Sequence, residues 1–152
     1  VAKTSLAILG RAGRKLDRYP DLAYRIRSRG IDVPPPGEQG FPIRIRVRTR
    51  GYRIFLGGWY RDFDRDDDVL DCLDFALSKG CRLEVEYRGH VEVAWTVQSR
   101  EFGAWRAHHR VRRWLVPFWK PKRTGCLQND VRQLFAGEVK DGEPVAPGLA
   151  EA

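Results

Sequence analysis

Between Ala104 and Arg123 the chain interleaves aromatic rings with cations: Trp105-Arg106, Arg110, Arg112-Arg113-Trp114, then Phe118-Trp119-Lys120, Lys122 and Arg123. Rings on which bases stack, set among cations that follow a phosphate backbone, are the composition of a surface for single-stranded nucleic acid. A second basic feature lies upstream. Ile43-Arg44-Ile45-Arg46-Val47-Arg48-Thr49-Arg50 alternates strictly, and a strand sends successive side chains to opposite faces. One face would carry β-branched apolar groups, the other a ladder of Arg44, Arg46, Arg48 and Arg50. Same-face neighbours on a strand stand ~6.6–7 Å apart, comparable to successive phosphates on a nucleic-acid strand. The candidate polyanion-binding set is therefore Arg44, Arg46, Arg48, Arg50, Trp105, Arg106, Arg110, Arg112, Arg113, Trp119, Lys120, Lys122 and Arg123.

Each feature also has a purely structural reading. Asp64, Asp67, Asp71 and Asp74 recur on one face of the following helix, where they could answer the arginines or another basic surface. The Trp105–Trp119 region could be a strand with one side in the core. On that pattern Trp114 and Phe118 are expected inside, while Trp105 and Trp119 remain open to either role.

Catalytic chemistry has less to stand on. His108 and His109 are adjacent, and adjacent strand residues face opposite ways, so they cannot share a metal with His90 without a bend. Glu84, Glu86 and Glu92 alternate with apolar positions, as the wet face of a hairpin does. Gly57-Gly58 lacks the Lys and Ser/Thr of a phosphate loop. The expectation is a non-enzymatic protein with no catalytic residue, no metal site and no cofactor.

The elements that position these residues can be read from periodicity. Residues 3–18 predict a basic helix with a loose apolar stripe (Leu6, Ile8, Leu9, Ala12, Leu16), and residues 21–29 a second short helix closed by Gly30. The prolines of residues 33–40 predict an extended linker. Two runs around Gly51 predict a hairpin. Asp64 to Lys79 predicts a helix with acids at its positive end and Val69, Leu70, Leu73, Ala76 and Leu77 buried. Cys81–Tyr87 and Val91–Val97 alternate about an Arg88-Gly89-His90 turn and predict a second hairpin. Val111–Lys120 and Cys126–Phe135 could add edge strands, given Pro117 and Pro121. The expected fold class is α+β: an antiparallel sheet of about four to six strands with a ββαββ core, one packed main helix and a basic N-terminal helical arm. The expected organisation is an arm over 1–32, a linker over 33–42, a core domain over 43–135 and a disordered tail over 136–152.

Composition fits one such domain. The chain has 152 residues, 42% of them hydrophobic, and a net charge of +8. That charge is arranged in blocks. Residues 41–61 hold six Arg and no acid, residues 62–78 seven Asp and one Arg, and residues 100–123 eight Lys/Arg and one Glu. Basic blocks point to a polyanion or an acidic protein surface. Three separated cysteines form no CxxC pair and predict buried thiols rather than a disulfide framework. No apolar run is long enough to span a bilayer or to act as a leader, so the expected location is cytoplasmic. The leading functional reading is a binding protein that contacts nucleic acid, single-stranded or RNA. The alternatives are a structural subunit or adaptor docking through its basic arm within a homo-oligomer or larger assembly, and a ligand-sensing domain.

Overall fold

The computed structural model describes residues 2–129 and Val131, with side chains from Leu6 onward. The elements run in chain order as α1 (Ala2–Leu16), β1 (Arg25–Arg27), β2 (Gly30–Val33), β3 (Ile43–Val47), β4 (Tyr52–Leu56), β5 (Trp59–Phe63), α2 (Asp66–Leu77), β6 (Cys81–Arg88), β7 (Val91–Glu101), β8 (Ala104–Arg112) and β9 (Lys122–Leu127). The class is α+β, and its strands form two antiparallel sheets rather than one. The first has the order β1-β2-β3-β4-β5 and the second β8-β7-β6-β9.

The alternating runs become strands because one side of each can be buried. Ile43, Ile45 and Val47 of β3 and Tyr52, Ile54 and Leu56 of β4 point inward, with Ile31 and Val33 from β2 beside them. On α2 the predicted stripe of Val69, Leu70, Leu73, Ala76 and Leu77 is buried. Leu83, Val85, Trp95 and Val97 supply the second sheet's part of the same core. Three aspartates fill the first turn of α2, and its end is closed by Ser78, whose backbone N–H and hydroxyl both donate to the Phe75 carbonyl.

Several expectations are corrected. Ile8, Leu9, Ala12 and Leu16 of α1 are buried in that core, so the helix is not a detached arm. Its polar side explains the acids of α2: Arg11 donates to Asp67 at 2.7 Å and Lys15 to Asp74 at 2.5 Å. The predicted helix over 21–29 is instead a turn leading into β1, because Ile26 pairs across to Ile31 and Arg25 to Asp32. The proline segment does not divide the chain into separate bodies. Phe41, at its end, is fully buried, and the Asn129 side chain clamps that residue: Oδ1 accepts the Phe41 N–H at 2.8 Å and Nδ2 donates to its carbonyl at 3.0 Å. The strands expected over 111–120 and 126–135 lie earlier, at β8 and β9, with Pro117 in the loop between them and Pro121 immediately before β9. The last residues of the second expected strand, and the tail over 136–152, fall outside the described residues. Cys72 and Cys81 are shielded thiols, each pushed up to about 12 by burial, whereas Cys126 is exposed.

Where the two sheets meet, the β4–β5 turn lies directly on the second sheet. Gly57 has φ of 58°, in the left-handed region that favours glycine. A Cβ on Gly58 would sit 2.2 Å from the Trp95 ring. The Trp59 indole N–H donates to the His109 carbonyl at 3.0 Å, tying β5 to β8.

Candidate polyanion-binding face

The outer face of the first sheet is where the arginine ladder lies. Register places its side chains in two rows across the strands. One row runs Arg25, Asp32, Arg44, Phe55, Tyr60; the next runs Arg27, Gly30, Arg46, Arg53, Asp62. The alternation that buries Ile43, Ile45 and Val47 necessarily turns Arg44 and Arg46 outward. Strand β3 ends at Val47, so Arg48 and Arg50 belong to the turn before β4.

The arginines of this face differ in what they do. Arg46 is built into the sheet: its guanidinium donates to the carbonyls of Ile31 (3.2 Å) and Ile45 (3.0 Å) and to Asp32. Gly30 makes room for it, since a Cβ there would lie 2.7 Å from Arg46 Nη1 and 2.4 Å from the Ile45 oxygen. Arg27 shares Asp32 with Arg46. Partial burial works to raise the Asp32 carboxyl, but its two guanidinium hydrogen bonds outweigh that and hold it below its ordinary range. Arg53 makes a two-pronged pair with Asp62 at 2.6 and 2.8 Å, and Arg48 approaches the same carboxylate at 3.6 Å. The hydrogen bond from Arg53 is the main reason the Asp62 carboxyl is lowered. Arg25, Arg44 and Arg50 are exposed, with no carboxylate within 4.0 Å among the described residues.

Arg46 and Arg48 of the ladder are thus answered from their own sheet, by Asp32 of β2 and Asp62 of β5, and not by α2, whose Asp66, Asp67 and Asp74 lie against Arg11 and Lys15 of α1. Seven arginines (25, 27, 44, 46, 48, 50 and 53) stand against Asp32 and Asp62, leaving five positive charges. The sequence reading missed the aromatic part of this face. Phe55 and Tyr60 lie side by side, ring centroids 6.1 Å apart. The Arg44 guanidinium lies 4.8 Å over Phe55 and that of Arg53 lies 4.6 Å over Tyr60. The signal was legible only through pairing: the two rings become neighbours when β4 and β5 register across Gly57-Gly58.

The second half of the predicted set lies on the other sheet. Arg110 is bound at 2.6 Å to Glu86, a buried carboxylate and not the wet one expected from alternation. Arg106 pairs with Glu101 at 3.2 Å. Trp105 is half-buried beneath Arg82, whose guanidinium stands 4.4 Å over its ring. Arg123 lies over Tyr87 at 4.3 Å and Arg113 over Trp95 at 5.8 Å. Trp119, Lys120 and Lys122 are exposed. Trp114 and Phe118, expected in the core, are 94% and 65% exposed. They fall in the loop after β8, where no strand alternation operates to bury one side.

Strand alternation does not govern the histidines, because His108 and His109 together oppose Val97 at a bulge in the β7–β8 register. His108 Nε2 lies 2.5 Å from the Ser99 hydroxyl, while the His109 ring packs edge-on against Trp59. Among the described residues no group of three His, Cys, Asp or Glu side chains is placed to hold a metal ion. No described helix is long and apolar enough to cross a membrane.

Comparison with protein-family models, with curated proteins and with solved structures returns no match. The functional reading therefore rests on the chain's own geometry.

Proposed function

We propose that this chain is a non-enzymatic binding protein that contacts single-stranded nucleic acid, DNA or RNA, through the outer face of its first sheet. The observation that carries the proposal is the pair Phe55 and Tyr60, with the Arg44 and Arg53 guanidinium groups over their rings, on a sheet face whose charges sum to plus five and where Arg25, Arg44 and Arg50 have no carboxylate partner among the described residues. A guanidinium over a ring adds a planar cationic group to an aromatic surface, and bases stack on guanidinium planes as well as on rings. Arg25, Arg44 and Arg50 are available to phosphates without first breaking an ion pair. Arg46 has a different part, fixing β2 against β3 and keeping the face rigid. A cytoplasmic location accords with this reading.

The assembly-subunit alternative required a docking arm. Its apolar stripe is engaged within the chain's own core, which leaves that reading less to work with.

The test is binding of a fluorescent single-stranded oligonucleotide over a series of salt concentrations. Replacing Arg25, Arg44 and Arg50 together by Gln should remove three phosphate contacts and flatten the logarithmic salt slope by about 2, at ~0.7 per contact. Replacing Tyr60 by Ala should cost roughly 1–3 kcal/mol of stacking with little change in slope. Absence of any single-strand affinity at low salt, or variants indistinguishable from the parent, would defeat the proposal.

A further inference from the structure

The loop between β8 and β9 is independent of that face. From residue 112 to 123 it reads cations, then apolar groups, then cations: Arg112-Arg113, Trp114-Leu115-Val116-Pro117-Phe118-Trp119, Lys120-Pro121-Lys122-Arg123. Trp114, Leu115, Phe118 and Trp119 are 94%, 79%, 65% and 82% exposed. Exposed apolar residues scattered singly need no explanation, but four within six positions do. The loop is held in shape. Arg113 N–H donates to the Val93 carbonyl at 2.8 Å, Gly89 N–H to the Pro121 carbonyl at 2.9 Å, and Val116 turns inward. Between them, Phe118 N–H donates to the Val116 carbonyl and Lys120 N–H to that of Pro117.

We infer that this loop is an anchor that inserts its apolar tip into the surface of an anionic lipid bilayer. Three observations select that occupant. Apolar groups at the tip with cations on both flanks match the layering of a bilayer surface, where acyl chains lie beneath a plane of phosphates. Tryptophan, amphipathic and present twice, is the side chain favoured at that depth. The chain also carries no Asp or Glu from Phe102 to Asn129, so nothing within that stretch repels an anionic surface. A second copy of the chain fits badly, because a two-fold contact through the tip would set two clusters of cations against each other. A nucleic-acid track fits less well, because Leu115 and Pro117 offer no ring for stacking and the cations flank the rings instead of alternating with them.

The experiment is co-sedimentation with phosphatidylcholine vesicles, with and without phosphatidylglycerol, while following tryptophan emission. Binding to the anionic vesicles should be accompanied by a blue shift, since Trp59 and Trp95 are already buried. Trp114→Ala with Trp119→Ala should lower partitioning at least about tenfold and abolish the shift. Lys120→Gln, Lys122→Gln and Arg123→Gln should each reduce anionic partitioning by about fivefold while leaving the weaker phosphatidylcholine binding unchanged. All five side chains are exposed, so an unchanged melting temperature certifies the variants as folded. The inference is overturned if the double tryptophan variant partitions like the parent. It is also overturned if an oligonucleotide, and not vesicles, shields Trp114 and Trp119, or if these residues instead drive concentration-dependent dimerisation without lipid. None of these outcomes bears on the first sheet's face, which holds neither tryptophan.

Discussion

Gly58 is the position at which the two sheets depend most narrowly on one atom. An added methyl would lie 2.2 Å from Trp95 Cε2 and 2.3 Å from Cζ2, whereas carbon atoms in contact sit at roughly 3.5–4.0 Å. The ring must therefore retreat by more than an ångström, or the turn must lift. Trp95 has little freedom to yield: it is 6% exposed, pairs with Val85 on one side and Val111 on the other, and carries Arg113 over its ring. Overpacking of a closed core costs typically ~1–3 kcal/mol, and Gly58→Ala belongs at the upper end. Gly58 is not among the glycines with positive φ, so the penalty is steric and should be relieved by making room. In a Trp95→Leu background the same alanine should cost under about 1 kcal/mol, a coupling of ~2 kcal/mol within the range for touching residues. Gly103→Ala is the contrast. Its φ of 79° opposes any Cβ while nothing lies within 4 Å, so its cost of roughly 1–2 kcal/mol should be the same in both backgrounds. Urea unfolding followed by circular dichroism, with the slope unchanged, measures all of these. A Gly58→Ala protein within about 0.5 kcal/mol of the parent, or an equal penalty in both backgrounds, would refute the packing of this turn on the second sheet.

Leu16→Ala should cost roughly 2–5 kcal/mol, as for any fully buried leucine, while Leu6→Ala, 60% exposed on the same helix, should change stability by less than about 0.5 kcal/mol. Comparable effects in denaturant titrations of the two variants would show that α1 does not pack as described. The Asp32 carboxyl is lowered in the folded chain by Arg27 and Arg46, so its contribution is present above its unfolded value near ~3.9 and is lost as pH falls through the lower folded value. Asp32→Asn should therefore cost about 1 kcal/mol at pH 7, and the gap should close as pH falls below ~4; melting curves showing the same gap at pH 7 and pH 2 would contradict the pairing. On the candidate binding face, Arg46→Gln should differ from Arg44→Gln. The first lowers the melting temperature because Arg46 holds two carbonyls and Asp32, whereas the second leaves it unchanged and weakens oligonucleotide binding.

How much of this was legible in the sequence depended on whether a local period governed the residue. The β3 alternation and the α2 stripe were read correctly because burying one side of a strand or helix leaves its mark every second or every third to fourth residue. Where the period failed, so did the reading. Ile26 and Ile31 carry no pattern long enough to announce β1 and β2; they become strands because β3 offers an edge to pair with. The apolar stripe of α1 was visible, but a stripe does not name its partner, and only the assembled core shows that it meets α2 and the first sheet. Trp114 and Phe118 are expected inside only if a strand runs through them, and that expectation fails because Pro117 and Pro121 keep the chain out of a ladder.

The same distinction applies to the charges. Their blocks were plain, yet their partners were not, because a carboxylate is assigned by register and not by distance along the chain. Asp32 and Asp62 each answer two arginines that the sequence leaves 5 to 14 positions away, whereas the conspicuous aspartates of α2 serve a helix some fifty-six to fifty-nine residues upstream. What the ladder has left over is therefore not four arginines in a row. It is Arg25, Arg44 and Arg50, drawn from three different segments, with Arg44 over one of two rings that only the β4–β5 pairing brings together. A cationic surface of this kind is a property of the sheet, and each strand taken singly shows only part of it.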